Sequence, residues 1–132
     1  MVWLVLEGTE GVGLSLIPLV AGLGVGGLAV ALAEMAFAGG LGIEADLCGL
    51  PSGKDCSRAD VQLFSESNSR YIVEVEPDKY DAFAKMMLNL PFGQIGKVTE
   101  EKTLVIKAQD GETVIEKDIE TLKQAWQKTF DW

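Results

Sequence analysis

The segment Leu63-Phe-Ser-Glu-Ser-Asn-Ser-Arg-Tyr-Ile-Val-Glu-Val75 concentrates the groups best suited to chemistry in this chain. Ser65, Ser67, Ser69 and Arg70 form a hydroxyl-rich turn that leads directly into a β-run. Serine hydroxyls, free backbone N–H groups and one guanidinium suit a phosphate or another anion. The purely structural alternative is that Ser65 or Ser67 caps the turn, Glu66 is solvated and Arg70 pairs with an acid.

A second pattern is Gly22-Leu-Gly-Val-Gly-Gly27, which satisfies GxGxxG and precedes a helical stretch, with Glu44 or Asp46 downstream. This is the spacing of a dinucleotide fingerprint: a tight turn, close approach to a pyrophosphate, and a helix N-terminus facing negative charge. Against it, Pro18 falls where a central strand is needed and would remove a ladder hydrogen bond. The remainder of the chain also fails to repeat a βα alternation.

Other chemistries are poorly supplied. The 132 residues include no histidine, which removes the commonest general base and the usual partner of a Ser or Cys nucleophile. Cys48 and Cys56 without a histidine make a weak zinc set. A disulfide across Pro51-Ser-Gly is conceivable, but two free thiols in a reducing cytoplasm is the simpler expectation. The net charge of −9 disfavours non-specific binding to nucleic acid or anionic membrane. No Lys or Arg precedes Lys54. Residues 11–33 are uncharged and long enough to cross a bilayer. Their glycine content, Pro18 and the missing basic flank argue against a span or a secretory signal.

The elements that must position these groups follow from periodicity. Val2 to Leu6 suggests a short strand, and Leu14 to Val20 a helix or strand interrupted by Pro18. Leu28, Ala31, Leu32, Met35 and Ala36 share a helical face, and Gly39-Gly40 closes that helix. Leu41, Ile43, Ala45 and Leu47 alternate as a half-buried strand. A turn-rich loop over 49–59 leads to a short apolar step at Val61 to Phe64. Tyr71, Val73 and Val75 form the next strand, and Pro77 opens a helix with Tyr80, Phe83, Ala84, Met87 and Leu88 on one stripe. Phe92 to Thr99 is a further strand. Thr103–Ala108 and Thr113–Glu116 form a hairpin around Asp110-Gly111, where both turn positions call for positive φ. Ile119, Leu122, Trp126 and Phe130 share a face of the last helix, with Trp126 expected in the core. This order predicts an α+β layered domain whose sheet is mixed or largely antiparallel and packed by helices.

Two stretches taken together carry a family resemblance. From Gly26 onward the chain resembles the C-terminal domain of ATP-dependent phosphoribosylformylglycinamidine synthase, which shares its fold with aminoimidazole ribonucleotide synthetase. The matching residues are Gly26-Gly-Leu-Ala-Val-Ala-Leu-Ala-Glu-Met35, the Leu63-Phe-Ser-Glu-Ser-x-Ser-Arg70 turn, Ile95-Gly-Lys-Val, and the closing Leu-Lys-Gln-Ala-Trp126. Upstream, the family reads His-Asp-Val-Ser-Glu/Asp-Gly-Gly where this chain reads Ala21-Gly-Leu-Gly-Val-Gly-Gly27. The family's His, Asp, Ser and acidic residue therefore fall on Ala21, Gly22, Gly24 and Val25. Residues 1–25 are expected to be a divergent apolar segment, through a shifted reading frame or drift, and 26–132 the synthase-like domain. Asn68 replaces a proline common in the family.

The resemblance implies a purine-biosynthesis context. In the parent reaction, formylglycinamide ribonucleotide, ATP and glutamine-derived ammonia give formylglycinamidine ribonucleotide by phosphoryl activation of an amide oxygen, with ATP and Mg²⁺ required. It also implies ligand contact through Gly26, Gly27, Ser65, Ser67 and Arg70, with Glu66 as a metal or hydroxyl partner. No catalytic residue and no bound cofactor are assigned to this chain alone, and it is expected to be inactive by itself. Its expected partners are other synthase domains or subunits, or a second copy of itself. Neither nucleic acid nor membrane is among them, and the expected location is the cytoplasm.

Overall fold

A computed structural model describes residues 2–8, 21–22, 26–51 and 56–130. Strands β1 (Val2–Glu7), β2 (Ala21–Gly22), β3 (Gly42–Asp46), β4 (Arg70–Val75), β5 (Phe92–Thr99), β6 (Thr103–Lys107) and β7 (Thr113–Asp118) form one sheet in the order β2-β4-β1-β5-β3-β6-β7. The pairings β1–β4, β1–β5 and β3–β6 are parallel. The pairings β2–β4, β3–β5 and β6–β7 are antiparallel. The domain is thus α+β with a mixed sheet. Ala21–Gly22, where the glycine run begins, pairs antiparallel with β4, whereas a dinucleotide fingerprint follows a strand of a parallel doubly wound sheet.

β1 owes its place to a sequence without a clean period. Leu4 and Leu6 enter the main core while Val5 enters a second cluster on the opposite face. A strand flanked by two parallel neighbours is buried on both faces, so its residues read as one apolar run rather than an alternation.

Helix α1 (Gly27–Gly39) lies across the main-core face and buries Leu28, Ala31, Leu32, Met35 and Ala36. It ends as expected at Gly40, whose φ of 69° is left-handed and whose N–H donates to the Ala36 carbonyl. Helices α2 (Ala59–Phe64) and α4 (Ile119–Lys128) pack beside it, contributing Leu63 and Ile119 to the same core. On the other face, α3 (Tyr80–Met86) sets Tyr80 and Phe83 against Val5, Val73, Val75, Trp3 and Phe92.

Four expectations are corrected. Val61 to Phe64 belongs to a helix that begins at Ala59, inside the predicted loop; Arg58 enters it extended and Asp60 occupies its first turn. The helix after Pro77 starts as a 3₁₀ turn over Pro77–Lys79 and stops at Met86, leaving Leu88 77% exposed. In the β6–β7 loop only Gly111 has positive φ, because Asp110 instead accepts the Glu112 amide on its carboxylate. Trp126 is 46% exposed, tilted against Phe37 and Phe130 at the edge of α4 rather than in the core. Both cysteines are free thiols, Cys48 exposed and Cys56 half-buried. No helix among the described residues is long and apolar enough to cross a membrane. The expected element at Leu14 to Val20 lies outside the described residues.

Candidate functional site

The start of α1 and the serine turn meet because Gly27 has no side chain. Its φ is +75°, and a Cβ there would lie 2.7 Å from the Leu63 carbonyl oxygen and 2.9 Å from backbone atoms of Phe64. Glycine tolerates both the left-handed backbone and the close approach. The end of α2 therefore abuts the N-terminus of α1, and the turn that follows α2 passes over it. There the Gly26 amide donates to Glu66 Oε1 at 2.9 Å. This satisfies one of the amides a helix leaves open at its start, with a carboxylate favourably placed for the helix dipole.

The turn is closed from its far side by the first residue of β4. Arg70 Nη2 donates to the Ser65 carbonyl and, at 3.0 Å, to Ser65 Oγ. Ser65 Oγ lies 3.2 Å from Ser67 Oγ. Ser69 reverses the chain with φ of 62°, and its carbonyl accepts the Val2 amide at 2.7 Å, tying the turn to β1. Burial pushes the Arg70 guanidinium below its usual pKa, and the nearby Cys56 thiol partly opposes this. All six residues singled out from sequence are thus brought into two linked clusters: Gly26 and Gly27 with Glu66, and Ser65 and Ser67 with Arg70.

Behind the turn is a cavity of about 150 Å³ whose polar lining is Cys56, Gln62, Ser65, Ser67 and Arg70. Gln62 and Cys56 were not legible as site residues. The one signal was a glutamine between Val61 and Leu63 in an apolar step, and it reads equally well as a surface residue. In the fold it is 4% exposed, and its Nε2 donates to the Cys56 carbonyl at 2.8 Å. The donors around this cavity fit an oxyanion. Mg²⁺ is not similarly served: among the described residues no three of His, Cys, Asp and Glu cluster to hold a metal, and Glu66 is engaged by Gly26.

Comparison with known proteins places this geometry. The profile described as "AIR synthase related protein, C-terminal domain" matches residues 9–109. The chain belongs to that family. Its matched span begins upstream of Gly26 and includes the serine turn. The chain is similar to phosphoribosylformylglycinamidine synthase subunit PurL of Deinococcus radiodurans, 44% identical over 104 residues, which is 78% of this chain and 13% of that protein. It is similar to the same subunit of Caldanaerobacter subterraneus subsp. tengcongensis, 36% identical over 109 residues, 81% of this chain and 14% of that protein. Among solved structures, T. maritima PurL complexed with ATP matches with a TM-score of 0.69 and 27% identity, covering 78% of this chain and 18% of that one. T. maritima PurL complexed with FGAR matches with the same TM-score and identity, covering 78% of this chain and 17% of that one. The chain therefore resembles about an eighth of the length of these curated relatives. The AIR synthase-related domain thus brings its glycine-led helix and serine–arginine turn together on one end of the sheet.

Proposed function

We propose that this chain acts in purine biosynthesis as a synthase-like C-terminal domain that supplies one wall of a ligand site and needs another domain to complete it. The observation that carries the reading is the meeting of the Gly26–Glu66 and Ser65–Arg70 clusters at the start of α1. In this reading Ser65, Ser67 and Arg70 bind phosphate oxygens, the Gly26-Gly27 turn lets a ligand approach the backbone, and Glu66 fixes the turn against the helix. In this reading Ala21, Gly22, Gly24 and Val25 stand where the family's His/Asp/Ser/acid motif is expected, so the acidic groups that a phosphoryl-transfer site needs for Mg²⁺ must come from the partner. ATP and Mg²⁺ are then ligands of the assembled site, which lies in the cytoplasm.

The test is reconstitution. Purified chain with formylglycinamide ribonucleotide, ATP, Mg²⁺ and ammonia should form no formylglycinamidine ribonucleotide. Adding a PurL lacking the matching segment should give turnover that Arg70→Met in this chain abolishes. Turnover by the chain alone would refute the reading. A second reading, self-association or docking without catalysis, draws on Val61 and Phe64, which are 42% and 55% exposed on α2 beside the turn. Light scattering of the purified chain, alone and mixed with the truncated PurL, separates the two: self-association or docking without turnover favours the second reading, and a monomer that ignores synthase domains would count against both.

A further inference from the structure

The chain has two asparagines, Asn68 and Asn89, and the fold treats them differently. An asparagine loses its side-chain amide when the backbone nitrogen of the next residue attacks its Cγ. At Asn89 that nitrogen is occupied, because the Leu90 amide donates to the Met87 carbonyl at 2.8 Å, and Leu90 brings a bulky side chain to the step. At Asn68 the nitrogen belongs to Ser69. Neither the Ser69 amide nor the Asn68 side chain has a hydrogen-bond partner among the described residues, and both residues are exposed.

The turn that carries the pair is loosely closed. No hydrogen bond joins the Ser67 carbonyl to the Arg70 amide, the bond that would shut a four-residue turn. Ser69 has φ of 62°, a region that a residue with a side chain occupies at a cost. Opening the turn relieves that strain and breaks no bond of the Ser69 amide, so the conformation for attack lies close by. The Asp110-Gly111 step makes the contrast. An aspartate before glycine is prone to the same ring closure, yet there the Gly111 amide donates to the Ala108 carbonyl at 3.0 Å and Asp110 Oδ1 accepts the Glu112 amide at 3.0 Å.

We propose that Asn68 is a site of spontaneous deamidation, and that the carboxylate it leaves weakens anion binding by the serine turn. Ser69 N gives up its proton and bonds to Asn68 Cγ; the Cγ–Nδ2 bond breaks, and the side-chain nitrogen leaves as ammonia. Water then opens the cyclic imide at either carbonyl, giving aspartate or, with the main chain rerouted through Cγ, isoaspartate. One water enters, one ammonia leaves, and nothing is oxidised or reduced. The product adds a negative charge between Ser67 and Arg70, the groups placed to hold an anion. The modification stands on the geometry of the turn; its effect on binding rests on the proposed anion-binding role of Ser65, Ser67 and Arg70.

The experiment is ageing of the whole chain in neutral buffer at physiological temperature, followed by peptide mass spectrometry. Asn68 should convert, with isoaspartate among the products, at a rate within about tenfold of that in the guanidinium-unfolded chain, the factor that ordering worth one net hydrogen bond allows. Asn89 should stay intact. Ser69→Gly fits the left-handed φ and removes the Cβ that crowds the attack, so it should speed conversion several-fold. Conversion of Asn68 only after unfolding would overturn the site. Calorimetric titration with inorganic phosphate reads the consequence: Asn68→Asp should bind about threefold more weakly than the unaltered chain, the effect of one solvent-screened like charge. Equal affinities would overturn the effect on binding and leave the modification standing. No phosphate binding by the unaltered chain would overturn the anion reading and the effect with it, while the ageing experiment still decides the site.

Discussion

The amide of Gly26 and the carboxylate of Glu66, 40 residues apart in sequence, form a 2.9 Å hydrogen bond that fastens the serine turn to the start of α1. The contact is exposed, so its contribution is that of a solvent-competed hydrogen bond. Glu66→Ala should destabilise the domain by about 1 kcal/mol, and Glu66→Gln, which keeps an acceptor oxygen, by less. Urea denaturation should show a lower midpoint with an unchanged slope. An unchanged midpoint in Glu66→Ala would mean that the turn is held by its other ties, Arg70 to Ser65 and the Ser69 carbonyl to the Val2 amide.

Gly27 and Gly39 make an opposed pair at the two ends of α1. Alanine at 27 would be strained by a φ of +75° and would press its Cβ to 2.7 Å from the Leu63 carbonyl oxygen, which is backbone and cannot swing away. A loss of about 2 kcal/mol or more is expected, together with displacement of the serine turn. Alanine at 39 meets nothing within 4 Å. There the better helix propensity should stabilise by about 0.5 kcal/mol. Thermal unfolding of the two variants should move in opposite directions.

β1 is an interior strand of the sheet, between β4 and β5, although its sequence lies upstream of the motif-bearing region. Leu6 is fully buried among residues of α1 and the neighbouring strands. Leu6→Ala should cost about 3 kcal/mol through lost transfer energy and the cavity left behind. A loss below about 1 kcal/mol, measured by denaturant unfolding, would show that β1 is not integral to the folded domain.

What could be read from sequence depended on how many faces each element buries. β3 and β5 have their expected ranges to within a residue or two, and α1 follows its apolar stripe, because each buries one main face. β4 has its expected range although Ile72 and Val73 enter opposite clusters. Of the stripe on α4, Ile119 is buried while Trp126 and Phe130 are 46% and 60% exposed. β1 gave no period because Leu4 and Val5 point to different clusters. α2 escaped because Val61 and Phe64 face solvent while the polar Gln62 is buried, the reverse of the usual pattern. The serine turn was legible as chemistry since its hydroxyls and arginine are contiguous. Its link to Gly26 was suggested only through the family resemblance, since nothing in local spacing brings together residues so far apart. Gln62 was missed because a lone glutamine acquires meaning only when its burial is known.

Cys48 offers a test of electrostatics away from the site. It lies within the 3₁₀ turn Leu47–Gly49 after β3, where its amide donates to Asp46 Oδ1 at 2.8 Å and its thiol donates to the Gln109 carbonyl at 3.1 Å. Interaction with Asp46 raises the thiol pKa, with desolvation and the charge of Asp110 acting the same way. A raised pKa means less thiolate at neutral pH, and thiolate is the nucleophile. Iodoacetamide should therefore alkylate Cys48 more slowly than a free cysteine at pH 7.5 or so. Asp46→Asn keeps a good capping side chain while removing the nearer charge. In a Cys56→Ser background, peptide mass spectrometry should show Asp46→Asn speeding the reaction several-fold and Asp110→Asn speeding it less. Equal rates across the three chains would assign the slow reaction to the Gln109 hydrogen bond instead of to charge.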